Sequence, residues 1–130
     1  MIKKYNKFIN EKLTDNLKGF DEDTLLKYIK TLPIDKMLLK SIELNTLNGL
    51  KYALEHNADI SKNNYYPIVH IIEHNKIDIL EYLLKYKYIN KYGFIVGFYH
   101  AIYNNRVEMI KMMLDNVDSS EISINHQLYD

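Results

Sequence analysis

The stretch Tyr66–Tyr86, YPIVHIIEHNKIDILEYLLKY, decides how this chain folds. Pro67 stands where the first turn of a helix tolerates proline, because its missing N–H would have no partner there. Apolar residues then recur at helical spacing on both sides of Asn75, which interrupts the pattern. The stretch therefore predicts two short helices joined by a tight turn. Helices of about ten residues do not persist alone in water, so this pair needs neighbours to pack against.

The same pattern returns thirty residues earlier and thirty residues later in the sequence. Asn45, Asn75 and Asn105 each fall between two apolar stripes, and a fixed period of this size is typical of stacked repeat arrays. Asparagine enters the left-handed conformation more readily than most residues, so we expect that conformation at all three turns. The residues at one shared repeat position, which we expect in the stacked core, are Leu54, Leu84 and Leu114.

This unit resembles the ankyrin repeat, whose pattern runs TPLHxAAxxGHxxIVxxLLxxGAD. The first copy, Lys36–Asp59, ends in LKYALEHNAD, with Asn57 where the family has glycine. The second copy has YP for the family's TP and ends in LEYLLKYK; the third, Val96–Asn116, keeps Ala101 and ends in MIKMMLDN. The repeat is three residues shorter than the usual 33, so we expect short connecting hairpins.

The resemblance implies an all-α, ankyrin-like solenoid of three helix-turn-helix repeats with N-terminal capping helices and short hairpin loops. We expect the repeats at about 36–65, 66–95 and 96–117. Before them, we expect a capping helix within residues 20–35, ended by Pro33. Asp35 is expected to cap the first helix of the first repeat. After the repeats the apolar period stops, and we expect a frayed or loosely docked tail at 118–130.

Residues 1–19 have two interpretations. Their apolar residues recur at helical spacing and Gly19 follows as a C-cap, which predicts a helix that shields the open end of the array. Alternatively, the segment KKYNKFINE resembles the leader of internal head proteins of T-even-like phages, which directs a protein into the prohead and is then removed. The triplet Ile9-Asn10-Glu11 would be the cleavage signal under that interpretation.

The composition argues against several classes of partner. Lysine plus arginine equals aspartate plus glutamate at 17 each, so no net field attracts nucleic acid or an anionic membrane. The sequence has no cysteine, which excludes disulfides and fits a reducing compartment. It has no apolar run long enough for a transmembrane helix. With only four glycines it has no glycine-rich phosphate loop, and we predict no cofactor.

One catalytic motif is present. Residues 70–74 spell H-x-x-E-H, the zinc motif of inverted metallopeptidases, in which His70 and His74 would hold the metal and Glu73 would act as the base. A third ligand has no evident candidate. The repeat also explains these positions, because Glu73 aligns with Glu43 and His70 aligns with His100. We therefore predict no metal site and no enzyme, and zinc hydrolysis is a remote alternative.

The resemblance implies a protein partner, bound through the hairpins and the first helix of each repeat. Tyrosine, of which the chain has 12, is enriched where interfaces concentrate their binding energy. The residues predicted to contact the partner are Lys40, Glu43, Leu44, Tyr65, His70, Glu73, His74, Tyr92, His100, Tyr103 and Asn104.

The source of the partner is suggested by codon usage and by the leader-like segment. The chain is rich in isoleucine, lysine, asparagine and tyrosine, whose codons are AT-rich. Together the two features favour a phage or viral protein that binds a host protein, such as a defence factor, in the cytoplasm of the infected cell. The alternative is a structural or packaged component of the virion with a cleavable leader.

Overall fold

Helices make up the regular secondary structure of the residues that the structure describes. The computed structural model describes Leu17 and residues 19–117, and this part contains seven bounded helices and no strand, which confirms the all-α prediction. The predictions for the leader and for the tail lie outside the described residues. The helices are α1 (Glu22–Lys30), α2 (Ile34–Glu43), α3 (Leu47–Glu55), α4 (Lys62–Glu73), α5 (Ile77–Lys85), α6 (Lys91–Tyr103) and α7 (Val107–Asp115).

Three helix pairs, α2–α3, α4–α5 and α6–α7, turn in the same way. Asn45, Asn75 and Asn105 have φ values of 57°, 55° and 57°, so the predicted left-handed turns are confirmed. After each asparagine, the next N–H donates to a carbonyl of the preceding helix, which satisfies one of the acceptors that a helix end leaves open. These bonds are Thr46 N to Ser41 O (3.0 Å), Lys76 N to Ile71 O (2.9 Å) and Arg106 N to Ala101 O (2.8 Å).

The chain divides after Asp59 into two compact units. In unit 1, α3 packs against both α1 and α2. Gly49 makes this approach possible, because a Cβ there would lie 2.8 Å from Ser41 Oγ and 2.9 Å from Ile29 Cγ1. The fully buried Thr46 caps α3 by accepting a 3.2 Å bond from Gly49 N, and its hydroxyl donates to the Glu22 carboxylate. A polar bond across the unit thus joins α1 to the start of α3.

In unit 2, α4 packs against α5 and α6, and α7 packs against α6 and α5. In α5 and α7, the residue that enters the core lies one position before the residue expected from the sequence. Leu83 and Met113 are fully buried, whereas Leu84 is half-buried and Leu114 is 48% exposed. The leucine stripe is wide enough to include both positions, and only the packing of the neighbouring helices distinguishes them.

Three helix starts differ from the sequence expectations. Pro33, not Asp35, precedes the first residue of α2, and no side chain caps that helix. α6 begins at Lys91, ahead of the expected repeat boundary at 96, because Asn90 Oδ1 accepts a 2.8 Å bond from Gly93 N. Tyr92 therefore lies in a helix rather than in a hairpin. In α4, three left-handed residues follow Lys62 before the right-handed helix continues; the three are Asn63, Asn64 and Tyr65.

Candidate protein-binding surface

α4 presents a row of aromatic and imidazole side chains opposite its buried side. Tyr66, His70 and His74 follow one another at a spacing of four residues, which places them on one helix face. The ring centroids of Tyr66 and His70 lie 6.1 Å apart, and those of His70 and His74 lie 4.1 Å apart. His70 is half-buried, and Tyr66 and His74 are exposed. Because Ile68, with its neighbours in the apolar stripe, fills the core, the opposite face carries this row.

α6 presents a second row, which includes the most exposed large hydrophobic side chain of the described residues. Tyr103 is 78% exposed and stacks with Tyr99, their ring centroids 6.4 Å apart and their planes 16° apart. His100 meets Tyr99 edge to face at 5.5 Å. Near the start of the helix, the Lys91 ammonium lies 5.2 Å from the ring centroid of the exposed Tyr92.

Two predicted contact residues in unit 2 bond to its backbone or to its other side chains. Tyr65 has a φ of 62°, which is unusual for a bulky residue, and its hydroxyl accepts a 3.1 Å bond from Asn90 Nδ2. The Tyr65 ring also lies beside Gly93, where an added Cβ would come within 3.3 Å of it. Asn104 Nδ2 donates a 2.8 Å bond to His100 O and so closes the end of α6. Both side chains therefore stabilise the structure of unit 2 through these bonds and are less available to a partner.

Arg106 joins the end of α4 to the start of α7. Its Nε donates a 3.1 Å bond to Ile72 O, and its Nη2 donates to Glu73 O. Both acceptors are carbonyls at the C-terminal end of a helix, where intrahelical partners are missing and a positive charge is favoured. Sequence reasoning missed this residue, because nothing in the local pattern indicates that its partners are more than thirty residues away.

Unit 1 carries the remaining three predicted contact residues. Lys40 Nζ and Glu43 Oε2 form a 3.0 Å ion pair on one face of α2. Leu44, which follows α2, is only 3% exposed. The prediction that Leu44 contacts the partner is therefore wrong, because a partner cannot reach a side chain that the fold has buried.

The comparison with protein families decides what kind of chain this is. The family described as Ankyrin repeats (3 copies) matches residues 36–127, well over half of the sequence. The chain belongs to the ankyrin repeat family. Ankyrin repeats are protein–protein interaction modules, so this chain is an interaction module; members of the family are typically non-enzymatic. The searches of curated proteins and of solved structures gave no match.

The metal hypothesis concerns His70, Glu73 and His74 at the end of α4. Within residues 19–117, no group of three or more histidine, cysteine, aspartate or glutamate side chains could hold a metal ion. Among these residues, His70 and His74 have no further side chain placed to complete the set of ligands that a catalytic zinc site requires. None of the described helices is long and apolar enough to span a bilayer.

The residues predicted to contact the partner do not include two exposed aromatic residues, Tyr66 on α4 and Tyr99 on α6. A sequence signal for them was available, because Tyr66 precedes His70 by four residues and Tyr99 precedes Tyr103 by four. The structure brings the predicted His70, Glu73 and His74 together at the end of α4, and His100 and Tyr103 together at the end of α6.

Proposed function

We propose that this ankyrin repeat chain binds its protein partner through an aromatic surface on unit 2. We define the aromatic surface as Tyr66, His70 and His74 on α4 with Tyr99, His100 and Tyr103 on α6. The observation that carries the proposal is the exposure of Tyr103 at 78% while it stacks on Tyr99. Stacking restricts both rings before binding, so less side-chain freedom is lost when a partner covers them.

The side-chain chemistry favours a protein partner over a nucleic acid. Tyrosine is among the residues most often found at interface hot spots, and its ring supplies apolar area while its hydroxyl supplies a hydrogen bond. Balanced charges, 17 of each sign, give no general attraction for a phosphate backbone.

We further propose that the partner is a host protein and that this chain is a phage or viral protein acting in the cytoplasm of the infected cell. The support is the abundance of residues with AT-rich codons and the leader-like segment KKYNKFINE. A small interaction module would act by occupying a surface of its target. We propose a host defence factor as the target of such a module.

The second candidate function is a packaged component of the virion. It is favoured by the triplet Ile9-Asn10-Glu11, which lies outside the described residues. Under this proposal, protein recovered from particles begins at Lys12, and N-terminal sequencing by mass spectrometry tests it. Material that begins at Met1, or absence from particles, would remove this candidate.

Replacement of Tyr103 tests the aromatic surface. Tagged wild-type protein and a Tyr103→Ala variant are used to capture proteins from host lysate, and the captured proteins are compared by mass spectrometry. We expect a partner that is retained by the wild type and weakened by about tenfold or more in the variant, as for a hot-spot residue. The melting temperature should change little, because exposed substitutions usually alter stability by less than about 0.5 kcal/mol.

Tyr86→Ala is the matched control. Tyr86 is 55% exposed and follows α5, so it lies outside the aromatic surface. It should leave capture unchanged. Equal loss of capture in both variants, or full capture by Tyr103→Ala, would contradict the proposed surface.

A further inference from the structure

The side of α6 that faces away from α4 carries an apolar stripe. Gly93 and Gly97 lie against Ile68 of α4, which identifies the inner side of the helix. On the outer side, large side chains follow one another at spacings of three, four and three residues, which places them in one row. This row, which we call the outer stripe, consists of Tyr92 (58% exposed), Ile95 (37%), Tyr99 (64%) and Ile102 (56%). Among the described residues the outer stripe is therefore largely uncovered.

The outer stripe has the spacing and the size of a helix-packing surface. Apolar residues that alternate at three and four positions are the pattern by which two helices pack along each other. If a fully exposed tyrosine offers about 150–250 Å², the four side chains together expose roughly 400 Å². An apolar patch of this size is as large as the largest on a typical monomer and marks an interaction site. The stripe therefore fits another helix that carries an apolar row.

The outer stripe complements itself when it is reversed. Its spacing of three, four and three reads the same in both directions, so two copies of α6 can pack antiparallel about a two-fold axis level with Gly97. Tyr92 then lies opposite Ile102 of the second copy, and Ile95 lies opposite Tyr99. Each layer thus pairs one large ring with one smaller aliphatic side chain. A parallel pair would instead place tyrosine against tyrosine and isoleucine against isoleucine, and its layers would differ in volume.

The charge of Lys91 favours the same orientation. Lys91 is the first residue of α6 and the only lysine, arginine, aspartate or glutamate in that helix. In the antiparallel pair, Lys91 is level with Tyr103 of the second copy, at the C-terminal end of α6, where a positive charge is favourable. The exposed Tyr103 ring can also accept a cation. A parallel pair would bring the two Lys91 ammonium groups side by side, where like charges repel.

We propose that the outer stripe is an interface between two copies of this chain, packed as an antiparallel pair of α6 helices. A second copy is the occupant that matches the stripe in both side-chain volume and charge without any further assumption. The two stripes together bury roughly 800 Å², less than the 1,200 Å² or more of stable complexes, so the dimer is weak and depends on concentration.

The dimer also covers part of the aromatic surface. Tyr99 belongs to both surfaces, and Tyr103 is level with Lys91 of the second copy. Self-association would therefore compete with the binding of the protein partner. This consequence rests on the proposed function, whereas the dimer itself does not, and the experiments on the dimer use the isolated chain.

Sedimentation equilibrium of the full chain between about 10 and 500 µM tests for a weak dimer. We expect the average mass to rise with concentration from 15.5 kDa towards twice that value. Ile102→Asp should weaken association by about tenfold or more, because it places a charge within the apolar stripe. Ile34→Asp is the matched control, since Ile34 is 50% exposed and begins α2 in unit 1. It should leave association unchanged. A monomer at every concentration, or equal weakening by both variants, would overturn the proposal.

A pair of opposite charges tests the antiparallel orientation. Tyr92→Glu alone and Ile102→Lys alone should each weaken association by about tenfold, because each leaves a charge against an apolar side chain. In the double variant, the new carboxylate lies opposite the new ammonium group of the second copy. We expect the double variant to associate more tightly than either single variant, by about threefold or more. Losses that simply add would overturn the antiparallel register.

Thiol labelling identifies a different occupant of the stripe. The sequence has no cysteine, so Tyr99→Cys and Ile34→Cys each introduce a single thiol. In dilute solution, where the dimer dissociates, we expect both thiols to react with a maleimide at rates within about threefold of each other, because both side chains are exposed. At high concentration, only the thiol at position 99 should become slower. If the thiol at position 99 is already protected in the dilute monomer, another part of the same chain covers the stripe, and the proposal is overturned.

Discussion

At the residue scale, Asn75 determines the turn between α4 and α5 by adopting a φ of 55°. Glycine enters this conformation without steric cost, whereas a β-branched side chain cannot. We expect Asn75→Gly to be neutral or stabilising and Asn75→Val to destabilise the fold by about 1–2 kcal/mol. Urea denaturation of both variants measures the difference. Similar effects of glycine and valine would be incompatible with a left-handed turn.

A second residue-scale feature is the N-cap of α1. Hydrogen bonds from the Thr24 hydroxyl and then from the Thr24 N–H, with attraction from Lys27, lower the pKa of Asp21 below its ordinary value. The backbone bond, from Thr24 N to Asp21 Oδ1, is 2.8 Å long. Because the folded pKa is below the unfolded one, the stabilisation is present above the unfolded pKa. It is lost as the pH falls through the folded pKa.

Asp21→Asn tests this pH dependence. Asparagine keeps an oxygen that accepts the Thr24 N–H but does not titrate in this range. Between pH 7 and pH 3, we expect the wild type to lose more stability than the variant, as measured by urea denaturation at each pH. If both lose the same amount, the ionised Asp21 carboxylate does not contribute to the cap.

At the element scale, α3 approaches α1 and α2 closely because residue 49 has no side chain. Alanine would favour the helix by about 1 kcal/mol, but its Cβ would lie 2.8 Å from Ser41 Oγ and 2.8 Å from Thr46 Cγ2. Overpacking of this kind costs about 1–3 kcal/mol, so the steric term should exceed the propensity term. We expect Gly49→Ala to lower the melting temperature.

Asn48→Ala is the control for this prediction. Asn48 is the preceding residue of α3 and is half-buried rather than buried. Its replacement gains helix propensity without meeting the Ser41 and Thr46 side chains, so the melting temperature should stay the same or rise. If Gly49→Ala also raised the melting temperature, the helices of unit 1 would be able to shift and accommodate the added Cβ, contrary to the short distances.

At the scale of the whole molecule, unit 2 is stabilised by a core that its four helices share. Leu83 is fully buried in this core, so Leu83→Ala should cost about 2–5 kcal/mol of unfolding free energy. Leu114 on α7 is 48% exposed, and Leu114→Ala should cost less than about 1 kcal/mol. Calorimetry of the two variants gives the comparison. The reverse ranking would contradict the packing of α5 against α7.

Much of the architecture could be predicted from the sequence. The all-α class, the three helix pairs and the left-handed turns at Asn45, Asn75 and Asn105 follow from spacing and from backbone preference. Both are local properties: a helix needs its apolar face every three to four residues, and asparagine carries its conformational preference wherever it stands. The ankyrin resemblance rests on the same local pattern repeated with a constant period.

The binding surface could be predicted only in part. Tyr103 and His74 were identified as exposed contact residues, and the structure leaves both exposed. Leu44 was placed with them, yet it is buried, and Tyr99 was omitted, yet it is 64% exposed. Repeat position alone does not determine exposure, because the same position is covered in one repeat and open in another.

The sequence by itself thus determined which segments are helices and where they turn, since these depend on interactions within a few residues. Only the tertiary structure decided which side chains are buried and which bonds join the repeats. Arg106 binds carbonyls of Ile72 and Glu73, and Leu83 rather than Leu84 enters the core, because helices from distant parts of the chain meet there. Burial depends on those neighbours, and their positions exist only once the chain has folded.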